Sequence, residues 1–337
     1  VNMLWISPVM KNPDSSRTES VHPYRRYSGY HGYWPESSHE IDPRFGTDEI
    51  LKELVSTAHH QGIKVILDFV ANHVHENHPY YKNNPEWFSS YTMKDGSVNL
   101  RLWDGDTRLT TWFESYLPTF DYNSNEIAVE TVTNDAVNQI LFYGLDGFRQ
   151  DATKHVPHSF WLTLTSKLKH AFPEKDLFQI GETFGSSELI KSYVNPAELK
   201  SQFNFDLYFK ARQVFSGKSS DMIDFNRFVK QNLKTYQPVN LMGTITSSHD
   251  QVRFIAFADG QIGFSEDGRE RSFIDLPIQV RNVESYDKLF MFSAINFMLP
   301  GVPVIYYGEE YGQIGANDPG NRLDMRFQHQ WNSNFLC

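Results

Sequence analysis

Cysteine is all but missing from this chain. The single one, Cys337, is the last residue, so neither an intrachain disulfide nor a cysteine-based zinc centre is available. Positive charge is also short: 31 Lys and Arg stand against 41 Asp and Glu, a formal charge of −10. That balance disfavours a polyanionic partner, so neither nucleic acid nor an anionic membrane is expected. No apolar run reaches the roughly 20 residues of a membrane span. The chain opens at Val1 inside an apolar run, without a starting Met or a leader-like segment, and reads as an internal stretch of a longer protein.

What is present suits one large folded domain. The 337 residues are 40% hydrophobic and 21% charged, a globular composition with enough apolar mass for a sizeable core. Aromatic residues make up 15%. Most belong in the core, but exposed ones stack on flat apolar faces, sugar rings included.

Strand-like and helix-like stretches alternate. Val1 to Ser7 reads as a strand, and the helix from Thr47 to Gln61 has Thr47 as N-cap and Gly62 beyond its end. Ile50, Leu51, Leu54, Val55 and Ala58 fall on one face of it. Ile63 to Val70 is a β-branched run typical of a strand covered on both sides. Further strands are expected at Leu145–Arg149, Leu177–Gly181, Phe203–Phe209, Leu241–Thr246 and Val302–Tyr307. Helices are expected at Glu126–Tyr143, Pro157–Ala171, near Ser187, Asp221–Leu233 and Ser285–Met298. Alternation of this kind gives a parallel sheet with helices outside. Polar groups follow several different strands, which favours the (β/α)8 or TIM barrel, whose C-terminal rim collects reactive side chains. Seven strands are found, so the barrel reads as lacking its first strand. Residues 74–122, rich in Asn, Trp, Tyr, Gly and Asp, are too long for a connection and read as a small subdomain inserted after the third barrel strand. The expected organisation is 1–73 as the first part of the barrel, 74–122 as the insert and 123–337 as the second part.

The chemistry centres on LDGFRQDATKH, Leu145 to His155, a short apolar strand ending in polar groups. Arg149 and Asp151 are two apart and point the same way on an extended backbone. An arginine beside a carboxylate keeps it ionised, so Asp151 is either half of a structural ion pair or a nucleophile. Glu182 follows the apolar LFQI among Phe178, Ile180 and Phe184, where desolvation would hold a carboxyl protonated as a general acid; its bland alternative is a helix cap. Asp250, beside His249, follows LMGTIT. Two carboxylates flanking one bond are the device that breaks glycosidic linkages, and a third can bind the sugar.

NHVHENH, Asn72 to His78, opens a competing reading. His73 and His75 form an HxH pair after a strand, the start of a divalent-metal site in barrel hydrolases. His155 and His249 are available as further ligands, though their neighbours do not suit that role. The plainer reading makes His75 and His78 part of a solvated loop.

Taken together, the motifs resemble glycoside hydrolase family 13, the α-amylase family. DFVANH (Asp68 to His73), GFRQDATKH (Gly147 to His155), GETF (Gly181 to Phe184) and SSHDQ (Ser247 to Gln251) resemble its four ordered motifs. LPTFD (Leu117 to Asp121) and GVPVIYYGEE (Gly301 to Glu310) resemble its extra motif and its last strand. The resemblance implies a retaining hydrolase of α-1,4-glucosidic bonds in starch or maltodextrin, with Asp151 as nucleophile, Glu182 as acid/base and Asp250 as third carboxylate. It implies that His73 and His249 bind sugar hydroxyls, that Tyr33 stacks beneath the sugar, that Arg149 holds Asp151 and that Asp68 is structural. Lys154 and His155 resemble the α-amylases and their transferase relatives. A glucanotransferase or maltooligosaccharide-acting enzyme is the alternative, and a metal-dependent barrel hydrolase or a non-catalytic glucan-binding relative stands behind it. No cofactor is required for the chemistry; a structural calcium would use Asn72 and the His155 carbonyl. Two departures stand out. Ser248 occupies the place of an Asn, and Thr119 that of a calcium-binding Asp.

Overall fold

The computed structural model describes residues 1–219, 221–274 and 278–327; Cys337 lies outside them. The chain divides into two compact units, the first formed by Val1–Phe184 with Ser192–Gln202, the second by Gly185–Lys191 with the chain from Phe203 onward.

The first unit is built on a five-stranded sheet whose strands follow one another in sequence order: β1 (Met3–Ile6), β2 (Lys64–Phe69), β3 (Gly147–Gln150), β4 (Phe178–Gly181) and β5 (Ser201–Gln202). Every pairing is parallel. Val65, Leu67, Phe148 and Ile180 are buried, as expected where a parallel sheet is covered on both faces. The register sets Asp68 opposite Arg149 and Gln150 opposite Gly181, so the polar ends of β2, β3 and β4 lie side by side. Gly147 makes the approach of β3 to β4 feasible. Its φ is +146°, and a Cβ there would stand 1.8 Å from the Phe178 carbonyl oxygen.

Three helices flank these strands in sequence: α1 (Asp48–His60), α2 (Glu126–Tyr143) and α3 (His158–Ala171). Thr47 caps α1 through Ile50 N, and Asn125 caps α2 through Ala128 N. Gly144, left-handed at φ +74°, ends α2. Packing in α1 is narrower than the sequence suggests. Leu51, Val55 and Ala58 are buried, but Ile50 and Leu54 are 53% and 41% exposed. The apolar stripe is wider than the surface the sheet offers it. Residues 74–122 hold only short helices, at Pro79–Asn83, Pro85–Trp87 and Asp106–Leu109, and isolated bridges such as His73 with Thr119.

In the second unit, β6 (Gly243–Ile245) pairs in parallel with β7 (Val302–Val304). Its helices include α4 (Phe205–Phe215), α5 (Met222–Tyr236) and α6 (Glu284–Met298). Phe215 stacks on Phe292 at 5.4 Å, and Phe254 meets Phe292 edge-on at 5.0 Å. One expected strand is corrected here. Phe203–Phe209 is not a strand: β5 lies earlier, Phe203 makes a single bridge to Gly243, and Phe205 opens α4. The Asn204 side chain accepts from Leu207 N, and Phe205, Tyr208 and Ala211 are buried at helical spacing. The cap and the period of 3.6 favour a helix here. Among the described residues, no helix is long and apolar enough to cross a membrane.

Candidate active site

Arg149 organises the first unit's cluster. It is buried at the end of β3, and its guanidinium meets three carboxylates. Nη1 lies 2.9 Å from Asp68 Oδ1 and 2.6 Å from Asp151 Oδ1, and Nη2 lies 2.8 Å from Glu182 Oε2. Such charge-assisted contacts fix both position and orientation. Burial works against the Arg149 charge, but Asp68 and Glu182 outweigh it and hold the guanidinium firmly protonated. Asp68 is itself pushed up to about 6, because burial of the carboxylate outweighs the pull of Arg149.

The backbone also aims at Glu182. Ala152 adopts a left-handed φ of +47°, unusual for a residue with a Cβ, directly after Asp151. Its N–H donates to Glu182 Oε2 at 3.3 Å, and Thr153 N donates to the Glu182 carbonyl at 2.9 Å. The apolar pocket expected for Glu182 is only partly there. Phe184 is 48% exposed, and the Arg149 guanidinium lies 2.8 Å from Glu182 Oε2.

Tyr33 donates its hydroxyl to Asp68 Oδ2 at 2.7 Å. His73 Nε2 donates to the Tyr33 carbonyl at 2.9 Å, and its Nδ1 lies 3.2 Å from Asn72 Nδ2. Both ring nitrogens are thus engaged by protein groups. Burial lowers His73 to about 4, so the ring is neutral near pH 7. His155 donates Nδ1 to the Arg108 carbonyl at 2.9 Å and is lowered by burial to about 3. Lys154 is half-buried and lowered by burial, with Asp104 opposing.

His75 and His78 correct the sequence reading. Neither is solvated: both are buried, and burial lowers each to about 4. Glu36 lies 3.5 Å from His75 Nδ1, and burial, with Arg17 and Lys82 behind it, lowers the ring. His78 Nδ1 accepts from Tyr80 N and so caps the Pro79–Asn83 helix. The HxH metal reading finds no support in this geometry. His73 and His75 turn to different partners, and among the described residues no three His, Cys, Asp or Glu side chains are placed to hold a metal.

A calcium ion here would depend on Asn72 and the His155 carbonyl. Asn72 Oδ1 is buried without a hydrogen-bond partner, as a ligand oxygen would be. Calcium calls for six to eight oxygens, usually with carboxylate charge. Here Thr119 directs its hydroxyl to the Thr111 carbonyl at 2.9 Å, and no cluster of acidic groups is placed for a metal among the described residues. These donors fall short of the oxygens calcium calls for, and the set does not fit it.

His249 and Asp250 belong to the second unit. Asp250 Oδ2 lies 2.8 Å from His249 Nε2, and Asp250 Oδ1 lies 3.2 Å from Arg322 Nη2. Asn321 Nδ2 donates to the carbonyls of Ser248, His249 and Gln251 at 3.1, 2.9 and 2.8 Å. Ser248, in the expected place of an Asn, accepts from Asp250 N at 3.2 Å. An amide from a distant loop thus braces the turn that carries the third carboxylate.

Sequence reasoning missed Trp5, Asn321 and Arg322. Trp5 donates Nε1 to Asp68 Oδ2 at 3.1 Å. An indole inside an otherwise aliphatic strand was the signal for Trp5. For Arg322 the signal was a cation in a polar DPGNR loop after the last strand.

A parallel α/β chain with carboxylates gathered at strand ends around one arginine defines the class: a TIM-barrel protein with an acidic rim site. The family model for the α-amylase catalytic domain matches residues 1–334, and the chain belongs to that family. A cyclomaltodextrin glucanotransferase from Bacillus sp. (strain 1-1) is 28% identical over 351 residues, covering 99% of this chain and 45% of the relative. An α-amylase from Niallia circulans is 27% identical over 348 residues, covering 96% of this chain and 58% of the relative. Among solved structures, an Anoxybacillus α-amylase matches with TM-score 0.79 at 26% identity, covering 99% of this chain and 65% of that one. The Geobacillus thermoleovorans α-amylase complexed with acarbose matches at 0.77 and 28%, covering 99% and 66%. This chain spans less than half the length of the glucanotransferase.

Proposed function

We propose that this protein is a retaining glycoside hydrolase acting on α-1,4-linked glucans, starch and maltodextrin. The observation that carries the reading is the bridge from Arg149 to both Asp151 and Glu182. Two carboxylates on the two nitrogens of one guanidinium suit the roughly 5–5.5 Å spacing of retaining enzymes better than the roughly 6.5–9.5 Å of inverting ones.

Glu182 protonates the leaving glycosidic oxygen while Asp151 attacks the anomeric carbon, giving a glycosyl ester. Glu182, now ionised, takes a proton from water, and the water oxygen displaces Asp151. Arg149 supports Asp151 in its charged form. Asp250, braced by Arg322 and His249, binds sugar hydroxyls. Tyr33 offers its half-buried ring to a sugar face, and Lys154 and His73 border the same cluster. Residues 74–122 act as an insert between the barrel parts 1–73 and 123–337.

The test is reducing-sugar release from soluble starch by wild type and Glu182→Gln. Wild-type release with a fall of roughly 10²–10⁴-fold in the variant is expected. No release by folded wild type, or an unimpaired variant, rejects the reading. The glucanotransferase similarity favours one second reading, in which a sugar hydroxyl replaces water as acceptor. Longer oligosaccharides formed from a short maltooligosaccharide would identify it.

A further inference from the structure

Asp68 takes no part in the steps above, yet its carboxylate accepts from three different side chains. Oδ1 accepts from Arg149 at 2.9 Å. Oδ2 accepts from Trp5 Nε1 at 3.1 Å and from the Tyr33 hydroxyl at 2.7 Å. The two aromatic rings also flank the guanidinium: the Arg149 Cζ lies 5.3 Å from the Trp5 ring centre and 5.8 Å from that of Tyr33. Each ring therefore touches both members of the Asp68–Arg149 pair.

The charges pose a problem that this arrangement solves. The titratable groups around Asp68 are Arg149, Asp151, Glu182 and Tyr33, with His73 bonded to the Tyr33 carbonyl. Three carboxylates face one guanidinium, and double displacement needs Glu182 protonated with Asp151 ionised. The cluster must hold one proton and must not leave it on Asp68. Burial pulls the proton towards Asp68, whose carboxyl stands at about 6 even with its donors in place. Tyr33 could reverse its hydroxyl and accept from a protonated Asp68. Trp5 could not, because an indole only donates. Its N–H bonds more strongly to the ionised carboxylate than to the neutral acid, and so favours the charged form of Asp68.

We propose that Trp5 is a positioning residue for the catalytic proton: its indole N–H keeps Asp68 an acceptor-only partner of Arg149, so that the cluster's one proton resides on Glu182. This rests on the hydrolase reading above.

Trp5→Phe retains an aromatic ring and removes the N–H. Two readouts apply to the whole protein. In a ¹³C-carboxyl NMR titration, the Asp68 midpoint should rise by about one pH unit, a tenfold change in proton affinity. In the pH profile of kcat/KM on maltoheptaose, the alkaline limb should move to lower pH. A neutral Asp68 leaves Arg149 freer to favour ionised Glu182, which then loses its proton earlier. In an Asp68→Asn background, Trp5→Phe should produce no further shift. An unmoved midpoint in a folded variant overturns the proposal. So does a uniform loss of activity with both limbs unmoved, which marks a merely structural tryptophan. If Trp5→Phe does not fold, Tyr33→Phe removes the other donor to Oδ2 and should move the midpoint in the same direction; an unmoved midpoint there overturns the proposal too. The NMR arm needs no turnover, so a wild type inactive on starch rejects the hydrolase reading separately from the Asp68 result.

Discussion

Asp68 and Arg149 face each other in register across β2 and β3, and Arg149 Nη1 lies 2.9 Å from Asp68 Oδ1. The same nitrogen reaches Asp151, while its twin reaches Glu182. A planar fork is what allows one side chain to serve three acceptors. Arg149→Lys keeps the charge and loses the fork. Activity on starch should fall at least about a hundredfold, the scale on which mispositioned catalytic groups lose rate. The expected loss lies in kcat, with KM changing little; a variant with near wild-type kcat would contradict the role given to the fork.

Acid should destabilise the protein in a definite window. His73, His75 and His78 are lowered to about 4 and His155 to about 3, all from 6.5. Each folded-state value lies below the unfolded one. The unfolded chain therefore takes up protons first, and the stability present above pH 6.5 is lost as pH falls towards 4. Each histidine contributes roughly 1 kcal/mol per pH unit in that window, as an order of magnitude. Tm measured from pH 7.5 down to 5 should drop steeply below 6.5, and His78→Gln should flatten the slope. Asp68, raised to about 6, acts in the opposite sense. Its contribution is fully present below about pH 4, near the unfolded value, and is lost as pH rises through 6. It offsets only one of the four.

Gly147→Ala should be severe. A Cβ there would stand 1.8 Å from a backbone carbonyl of β4, which cannot move without breaking the pairing that aligns Arg149 with Ile180. The combined clash and positive φ should cost more than about 3 kcal/mol, beyond the range of ordinary substitutions. Chemical denaturation compared with wild type checks this, and a loss below 1 kcal/mol would show that β3 and β4 can separate locally.

Asn321→Ala removes the amide shared by the carbonyls of Ser248, His249 and Gln251. Leaving several buried acceptors unpaired costs about 1–3 kcal/mol for each fully buried group. The loop carrying Asp250 should loosen. KM for maltoheptaose should rise several-fold, with a smaller change in Tm than Gly147→Ala produces. Unchanged KM would separate this brace from substrate binding.

Legibility in the sequence followed the range of the interaction. The carboxylate-bearing stretches were readable because strand and tip are contiguous, as in LDGFRQDATKH. Caps at Thr47 and the end of α2 at Gly144 were readable for the same reason. Within Phe203–Phe209 a helix from Phe205 replaces the expected strand, because the Asn204 cap and the burial of Phe205, Tyr208 and Ala211 at helical spacing decide it. The burial of His75 and His78 was unreadable, since their cover comes from residues such as Pro35 and Ser38 some 40 positions earlier.

The sequence by itself determined the alternation of parallel strands and helices, the motif order and the identity of the three catalytic carboxylates proposed here. Those rest on local periodicity and on short runs of residues. Only the tertiary structure decided that one guanidinium binds Asp68, Asp151 and Glu182, that Trp5 donates to Asp68, and that Asn321 and Arg322 brace the Asp250 loop. Most of these partners are more than about 60 residues apart, as with Trp5 and Asp68 at a separation of 63 and Asp68 and Arg149 at 81. Strand register and loop packing, which no local pattern encodes, bring them together.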